Sequence, residues 1–395
     1  MNRRQFATRG LAALPLTAYS AAATRVADAA GAGPAARRGP SKLKLGCQSG
    51  PSTGEHFAFL ARYGVRNICA SPTLADPTRL YPTVDELKNL KETAAAHGLS
   101  VDLTDSVLLN STHIDVEKHP AIMLAESPER DRDIETFQTL IRNCAAAGIP
   151  AVKYNMSLLG VLRNVRIPGR GDVEYVGWDY SREPANPPLT RAGLVDADRY
   201  WERIDYFLAR VVPVAEEYKV RIACHPHDPG VPPAGYEGIS AVLGTVDGLK
   251  HFVGMHESPY HGLNFCQGTV SEMLADPPTQ IFDVIRWFGT RRKLFNVHFR
   301  NIRGHRDNFV ETFPDEGDVN MLQAALTYRE VDYDGMLMPD HVPLVPASAP
   351  TEQRPANDYA YNYGRASARG DQHEPSFAFA YGYIRGLIQA VEQFG

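Results

Sequence analysis

Four short stretches in the second half of the chain run toward side chains that can bind a metal. They are Ile222-Ala-Cys-His-Pro-His-Asp-Pro229, Leu263-Asn-Phe-Cys-Gln-Gly268, Leu294-Phe-Asn-Val-His-Phe-Arg300 and Met336-Leu-Met-Pro-Asp-His341. Each opens as a β-favouring run and closes near His225, Cys266, His298 or Asp340. Two imidazoles, a thiolate and a carboxylate suit a divalent transition metal, whereas Mg²⁺ and Ca²⁺ avoid sulfur. Taken singly, such residues are more simply a packed cysteine or a hydrogen-bonded histidine. At the same relative position in four successive units they make a candidate metal site.

Neighbouring residues supply the rest of a mechanism. His341 follows Asp340 directly, and an unperturbed pKa of about 6.5 lets histidine both take and give a proton. His227 is a second candidate acid or base, and Asp228 beside it a candidate for holding substrate. Arg300 stands two residues after His298, on the same strand face, and suits an anionic or hydroxylated substrate. Asn155 alternates inward with Lys153 in an earlier strand and joins the substrate-binding candidates, while Lys153 reads equally as a surface residue. His251, His256 and His261 read as solvated; Glu311, Asp318 and Glu374 read as supporting partners or surface charges.

These residues need a scaffold that lines up strand ends. Strands are expected over Leu43–Gln48, Val65–Ser71, Ser100–Leu108, Pro150–Asn155, Val220–His225, Gly262–Cys266, Leu294–Arg300 and Gly335–Asp340. Amphipathic segments fall between them at Thr83–His97, Arg130–Ala147, Arg199–Tyr218, Val270–Phe288 and Val319–Tyr328. Eight strands alternating with helices imply a parallel sheet, and eight is the number that closes a (β/α)₈ TIM barrel. One barrel is expected over residues 43–395. Two long loops follow its fourth and eighth strands, Leu158–Asp196 and Val342–Glu374, the second carrying Asn357-Asp-Tyr-Ala-Tyr-Asn-Tyr-Gly364; such lengths suggest lids or binding loops.

Composition narrows the function classes. The 395 residues are 44% hydrophobic and 22% charged, an ordinary globular balance. A net charge of −5 and the lack of a basic patch argue against a nucleic-acid partner. Five irregularly spaced cysteines do not form a disulfide framework. At the N-terminus, Asn2-Arg-Arg-Gln-Phe6, an apolar stretch and the small-residue site Ala27-Asp28-Ala29 have the order of an export signal over residues 1–29, and the paired arginines resemble the twin-arginine type. Residues 30–42 read as a flexible linker. The mature chain is then expected in the periplasm without membrane insertion, with self-association left open.

The stretches His225-Pro-His-Asp-Pro, Phe265-Cys-Gln-Gly, Val297-His-Phe-Arg and Met338-Pro-Asp-His, in this order, resemble mannonate dehydratase. So do Ala147-Gly-Ile-Pro-Ala-Val-Lys-Tyr-Asn155, Phe309-Val-Glu and Gly317-Asp-Val-Asn-Met321. The resemblance implies a (β/α)₈ barrel related to xylose isomerase-like sugar enzymes. It implies Mn²⁺ or Fe²⁺ held by His225, Cys266, His298 and Asp340, with His341 moving protons. The implied reaction removes water from a sugar acid. Three positions depart from the family pattern: Met338 replaces an arginine, His227 replaces an aspartate, and Phe377 to Tyr381 is rewritten. The alternatives are a metal-dependent sugar isomerase, epimerase or keto-sugar eliminase, and an exported carbohydrate-binding protein. In each case the partner is a small sugar or sugar acid.

Overall fold

The computed structural model describes residues 40–48, 50–345 and 370–394. The expected export signal, most of the linker, the Tyr-rich segment 357–364 and the side chain of Glu374 lie outside the described residues.

In chain order the elements begin with β1 (Lys44–Cys47), α1 (Gly54–Arg62), β2 (Asn67–Cys69), α2 (Val84–Ala95), β3 (Ser100–Asp105), α3 (Ala121–Leu124), α4 (Glu129–Ala147) and β4 (Ala151–Asn155). Next come β5 (Val165–Pro168), β6 (Glu174–Asp179), α5 (Ala197–Tyr218), β7 (Arg221–His225), α6 (Val246–Gly254), β8 (His261–Cys266), α7 (Gln267–Glu272) and α8 (Pro277–Thr290). The chain closes with β9 (Leu294–His298), β10 (Ile302–His305), β11 (Asn308–Glu311), α9 (Met321–Glu330), β12 (Met336–Met338) and α10 (Gly370–Phe394).

Strands β1, β2, β3, β4, β7, β8, β9 and β12 form a closed barrel in that order, parallel throughout, with β12 pairing back onto β1. Parallel strands covered on both sides read as nearly continuous apolar runs, and β8 and β9 are buried at every position. Small and flexible side chains (Cys69, Leu103, Ala151, Met336 and Met338) cluster together, apart from the main core. That main core lies between strands and helices: Phe207 of α5 is fully buried, with ring contacts to Phe137 of α4 at 5.1 Å and Tyr154 of β4 at 5.5 Å.

Local sequence sets the helix ends. Thr83 and Glu86 close a reciprocal capping box at the start of α2. Gly148 ends α4 in the left-handed conformation and lets the chain enter β4 three residues later. The single helix expected over Val270–Phe288 is two, α7 and α8. Pro277 and Pro278 bring no backbone N–H, so they open a helix readily but cannot continue one. His261, expected in solvent, is a fully buried residue of β8, where its ring Nε2–H donates to the Phe252 carbonyl 2.9 Å away. His251 and His256 are exposed as expected, although His251 stands on α6 and not in a loop.

A second sheet was not foreseen. Strands β5 and β6, inside the segment expected to be a long lid or binding loop, join β10 and β11 in a four-stranded antiparallel sheet of order β10-β11-β6-β5. It has an apolar cluster of its own in Val165, Val173, Tyr175, Val310 and Phe313. The loops after the fourth and seventh barrel strands are thereby tied together. No helix among the described residues is long and apolar enough to cross a membrane.

Candidate metal centre

All barrel strands run one way, so their C-terminal ends share one mouth, the end where barrel enzymes carry their chemistry. His225, Cys266 and His298 are the last residues of β7, β8 and β9, and Asp340 lies two residues past β12. One donor atom from each of the four lies within 4.8 Å of the others, and all four residues are among the site's buried groups. Cys266 Sγ is 3.6 Å and His298 Nδ1 3.3 Å from Asp340 Oδ2, and the two imidazoles sit with centroids 5.1 Å apart.

The protonation of these groups suits a cation. His225 Nδ1 is 2.7 Å from the Pro226 carbonyl, which can only accept, so the lone pair is on Nε2. His298 Nδ1 is buried and faces Cys266 and Asp340, whose Oδ2 lies 3.3 Å away. Burial pushes the Cys266 thiol up, but the Arg300 guanidinium and His298 outweigh it and the net shift is downward. Burial acts likewise on Asp340, and His298, His341 and Arg300 hold its carboxyl well below the usual range. Two imidazoles, a thiol poised to ionise and a carboxylate fit a divalent transition ion.

The rest of the mouth holds Gln48 and Asp105, which the sequence did not single out, together with Lys153 and Asn155, which it did. Gln48, just past β1, donates its amide to Asp340 Oδ1 at 2.6 Å. Lys153 of β4 donates to Gln48 Oε1 at 2.7 Å and pairs with Asp105 of β3 at 2.8 Å. Burial lowers the Lys153 pKa, but Asp105 and its neighbours reverse this, so the ammonium stays charged. Lys153 therefore points inward, with 16% of its side chain exposed. Asn155 lies across from His225 in the β4–β7 ladder.

Behind the four donors lies a buried ion network. Arg300 donates to Glu311 Oε1 (2.5 Å), Asp228 Oδ2 (3.0 Å), Glu272 Oε1 (2.9 Å) and Thr269 Oγ1 (2.7 Å). Arg163, from the loop after β4, reaches the same Glu311 oxygen at 2.5 Å and Asp228 at 2.7 Å. His341 Nδ1 bonds Glu311 Oε1 at 2.5 Å, and its Nε2 is 3.9 Å from Asp340 Oδ2. Burial lowers the His341 pKa, but Asp340 and Glu311 raise it by more. Asp228, Glu311 and His341 also bring donor atoms within 4.8 Å of one another, yet two guanidinium groups already sit there and balance the carboxylates.

Three expectations are corrected by this geometry. Arg300 and Asp228, expected to grip substrate, have side chains 1% and 3% exposed and bind each other and neighbouring protein groups. His227, expected to act in catalysis, turns to Met156 O at 2.8 Å and Tyr200 Oη at 3.2 Å and lines a separate small cavity with Leu158 and Pro229. Burial lowers its pKa to about 4 and keeps it neutral. Pro226 is the cause: the chain leaves strand geometry after His225, so two-residue alternation no longer carries His227 to the same face. Glu311 is a buried partner and Asp318 an exposed one that accepts from Gly304 N.

Comparison with known proteins agrees with this arrangement. The family model described as D-mannonate dehydratase (UxuA) matches residues 176–370, the part of the chain that holds the whole donor set. A mannonate dehydratase of Thermotoga petrophila is 28% identical over 297 residues, covering 66% of this chain and 78% of that one. Mannonate dehydratase 2 of Halalkalibacterium halodurans is 27% identical over 285 residues, covering 65% and 78%. Among solved structures, mannonate dehydratase from Streptococcus suis superposes with a TM-score of 0.69 at 22% identity, over 88% of this chain and 95% of that one. An L-ribulose 3-epimerase shares the fold more distantly, at a TM-score of 0.52 and 16% identity over 89% and 96%. With the barrel closed and the donors converging at its mouth, the stretch of chain that holds them is the stretch that is similar to the mannonate dehydratases.

Proposed function

We propose that the protein is a metal-dependent hydro-lyase that dehydrates a sugar acid, as its mannonate dehydratase relatives are named for doing. The observation that carries this reading is the set of four donor atoms within 4.8 Å at the barrel mouth, beside the His341–Glu311 pair. His225, Cys266, His298 and Asp340 would hold the ion, Mn²⁺ or Fe²⁺, and it would supply Lewis acidity to substrate oxygens. His341 has Nδ1 occupied by Glu311, so Nε2 is the nitrogen that exchanges protons. In the reaction, the C–H bond next to the carboxylate breaks and its proton goes to a base. The hydroxyl on the adjacent carbon takes up a proton and leaves as water, and the resulting enol rearranges to a keto-deoxy acid. Lys153 supplies the positive charge for the substrate carboxylate, since its side chain is 16% exposed at the mouth and has one carboxylate partner, Asp105, whereas Arg163 and Arg300 are 3% and 1% exposed and each bind several.

The test is incubation of the Mn²⁺-loaded full chain with mannonate and other sugar acids. A keto-deoxy product is expected. Solvent deuterium entering a neutral sugar without water loss would instead make the protein an epimerase or isomerase. Lys153→Met should raise KM for the acid by at least about tenfold, the worth of roughly 1.4 kcal/mol; an unchanged KM would remove Lys153 from carboxylate binding.

Export by the twin-arginine route belongs to the same proposal and rests on Asn2-Arg-Arg-Gln-Phe6 with the apolar stretch after it. Replacing Arg3 and Arg4 together by Lys should leave the protein in the cytoplasm; export of the double variant at the normal level would refute the route.

A further inference from the structure

His225, Cys266 and His298 end barrel strands, and strand pairing holds them in place. Asp340 is the exception, two residues past β12 with Pro339 before it. A proline has no N–H to donate, so a ladder does not run on through position 339. Met338 is still tied to the β9 side, its carbonyl accepting from Phe299 N at 2.7 Å, and Asp340 lies beyond that tie. Which carboxylate oxygen faces the other donors must then be set by a side chain.

Gln48 stands where that task falls. The β1–β12 ladder pairs Lys44 with Met336 and Leu45 with Leu337. Carried three residues on, the same register brings Gln48 opposite Asp340. The Gln48 amide makes the link that the backbone cannot, with Nε2 donating to Asp340 Oδ1 at 2.6 Å. Oδ2 is left toward the cluster, 3.3 Å from His298 Nδ1 and 3.6 Å from Cys266 Sγ.

The direction of that bond is fixed from its far side. A carboxamide can be turned end for end, but the other end of this one meets Lys153 Nζ at 2.7 Å. An ammonium group only donates, so the atom facing Lys153 is Oε1 and the atom facing Asp340 is the amide nitrogen. Turning the amide would set its NH₂ against the ammonium and its oxygen against the carboxylate, and both bonds would be lost. Lys153 is braced in turn by Asp105 at 2.8 Å. Acceptor and donor thus alternate across the mouth, from Asp105 through Lys153 and Gln48 to Asp340.

We propose that Gln48 is a positioning residue that holds Asp340 by Oδ1 and so presents Oδ2 to the metal. This rests on the metal-dependent reading above, and the experiment separates the two. The metal-stripped full chain is titrated with Mn²⁺ by calorimetry as wild type, Gln48→Met, Lys153→Met and Cys266→Ser. Gln48→Met keeps the reach of the side chain without donor or acceptor. It should weaken Mn²⁺ binding by about 10- to 100-fold, the usual loss when the partner of a ligating group is removed. Lys153→Met leaves the amide bonded to Asp340, so its affinity should stay closer to wild type than to Gln48→Met. If the charge of the ammonium held Asp340, the two variants would rank the other way. A second reading needs no variant to fold. In ¹⁵N-glutamine-labelled wild type loaded with Zn²⁺, the Gln48 side-chain amide should have one proton shifted downfield of ordinary glutamine amides by its bond to the carboxylate.

Wild-type affinity in Gln48→Met, a greater loss in Lys153→Met, or an unshifted amide proton would each overturn the proposal while wild type still binds metal. A wild type that binds no Mn²⁺, or a Cys266→Ser variant that binds as wild type does, would overturn the metal site itself.

Discussion

Arg300 donates hydrogen bonds to three carboxyl groups at once and stands 3.7 Å from a fourth, Asp340, and that crowding decides what the residue is for. Ions taken from water into a protein cost several kcal/mol each unless partners replace the water. The two guanidinium groups of Arg163 and Arg300 balance two carboxylates, and the pKa directions say which two. Burial raises Asp228 and Glu311, but Arg163 and Arg300 reverse this, to about 2 for Glu311 and lower still for Asp228. Glu272 goes the other way: burial and the adjacent Asp228 lift it well above the carboxylate range, so it is the neutral acid of the group. Removing the charge of Arg300 and removing the proton-bearing group of Glu272 should therefore differ. Arg300→Ala leaves Asp228 and Glu311 short of a counter-ion and should cost about 3–5 kcal/mol in urea unfolding. Glu272→Gln keeps the oxygen that accepts from Arg300 and should cost under about 1 kcal/mol. Equal losses in the two variants would mean that Glu272 is charged and the balance is drawn wrongly. Nothing in the spacing of His298 and Arg300 pointed to this network, because its members come from five separate segments of chain.

Element geometry explains why some of this was legible in the sequence and some was not. The barrel strands showed because a strand buried on both faces must be an apolar run, and the four donors showed because each closes such a run. The small sheet stayed hidden for the opposite reason. Strands such as Val165–Pro168 and Ile302–His305 have four residues each and form short hairpins with β6 and β11, too brief for a clear alternation, and the pairing of β6 with β11 joins loops far apart in sequence. Arg163 and Glu311 are brought to the mouth by that sheet, and its absence from the sequence reading is why Arg300 was taken for a substrate ligand. The Cys266-Gln-Gly268 run has a reason of the same kind. Its glycine needs no unusual backbone angle; it needs the room, since a Cβ on Gly268 would lie 2.4 Å from Arg300 Nε. Gly268→Ala should push Arg300 off its carboxylates, cost about 1–3 kcal/mol by overpacking and lower activity with it. Full activity together with wild-type stability would show that α7 can move aside.

Across the whole molecule, acid stability gives a test of the fold that does not involve the metal site. His261 in β8 is fully buried, its ring against Phe252 at 4.7 Å and its Nε2 at the Phe252 carbonyl. Burial outweighs that hydrogen bond and lowers its pKa from 6.5 to about 4. Above pH 6.5 the imidazole is neutral both folded and unfolded, and it adds no pH dependence. Between 6.5 and 4 the unfolded chain takes up a proton that the folded protein refuses, so stability falls by about 1.4 kcal/mol per pH unit. Below about 4 both forms are protonated and the loss levels off at roughly 3 kcal/mol. The paired carboxylates act in a lower window: Glu311, with its folded pKa near 2, loses its contribution only as pH drops below the unfolded value of about 4.3. Other buried histidines titrate alongside, which is why the comparison must be with a variant. His261→Gln retains a donor for the Phe252 carbonyl and removes the titration. Between pH 6.5 and 5, wild type should lose about 2 kcal/mol more than His261→Gln in denaturant unfolding. Parallel curves for the two proteins would place the His261 ring in contact with water and put the depth of β8 in question.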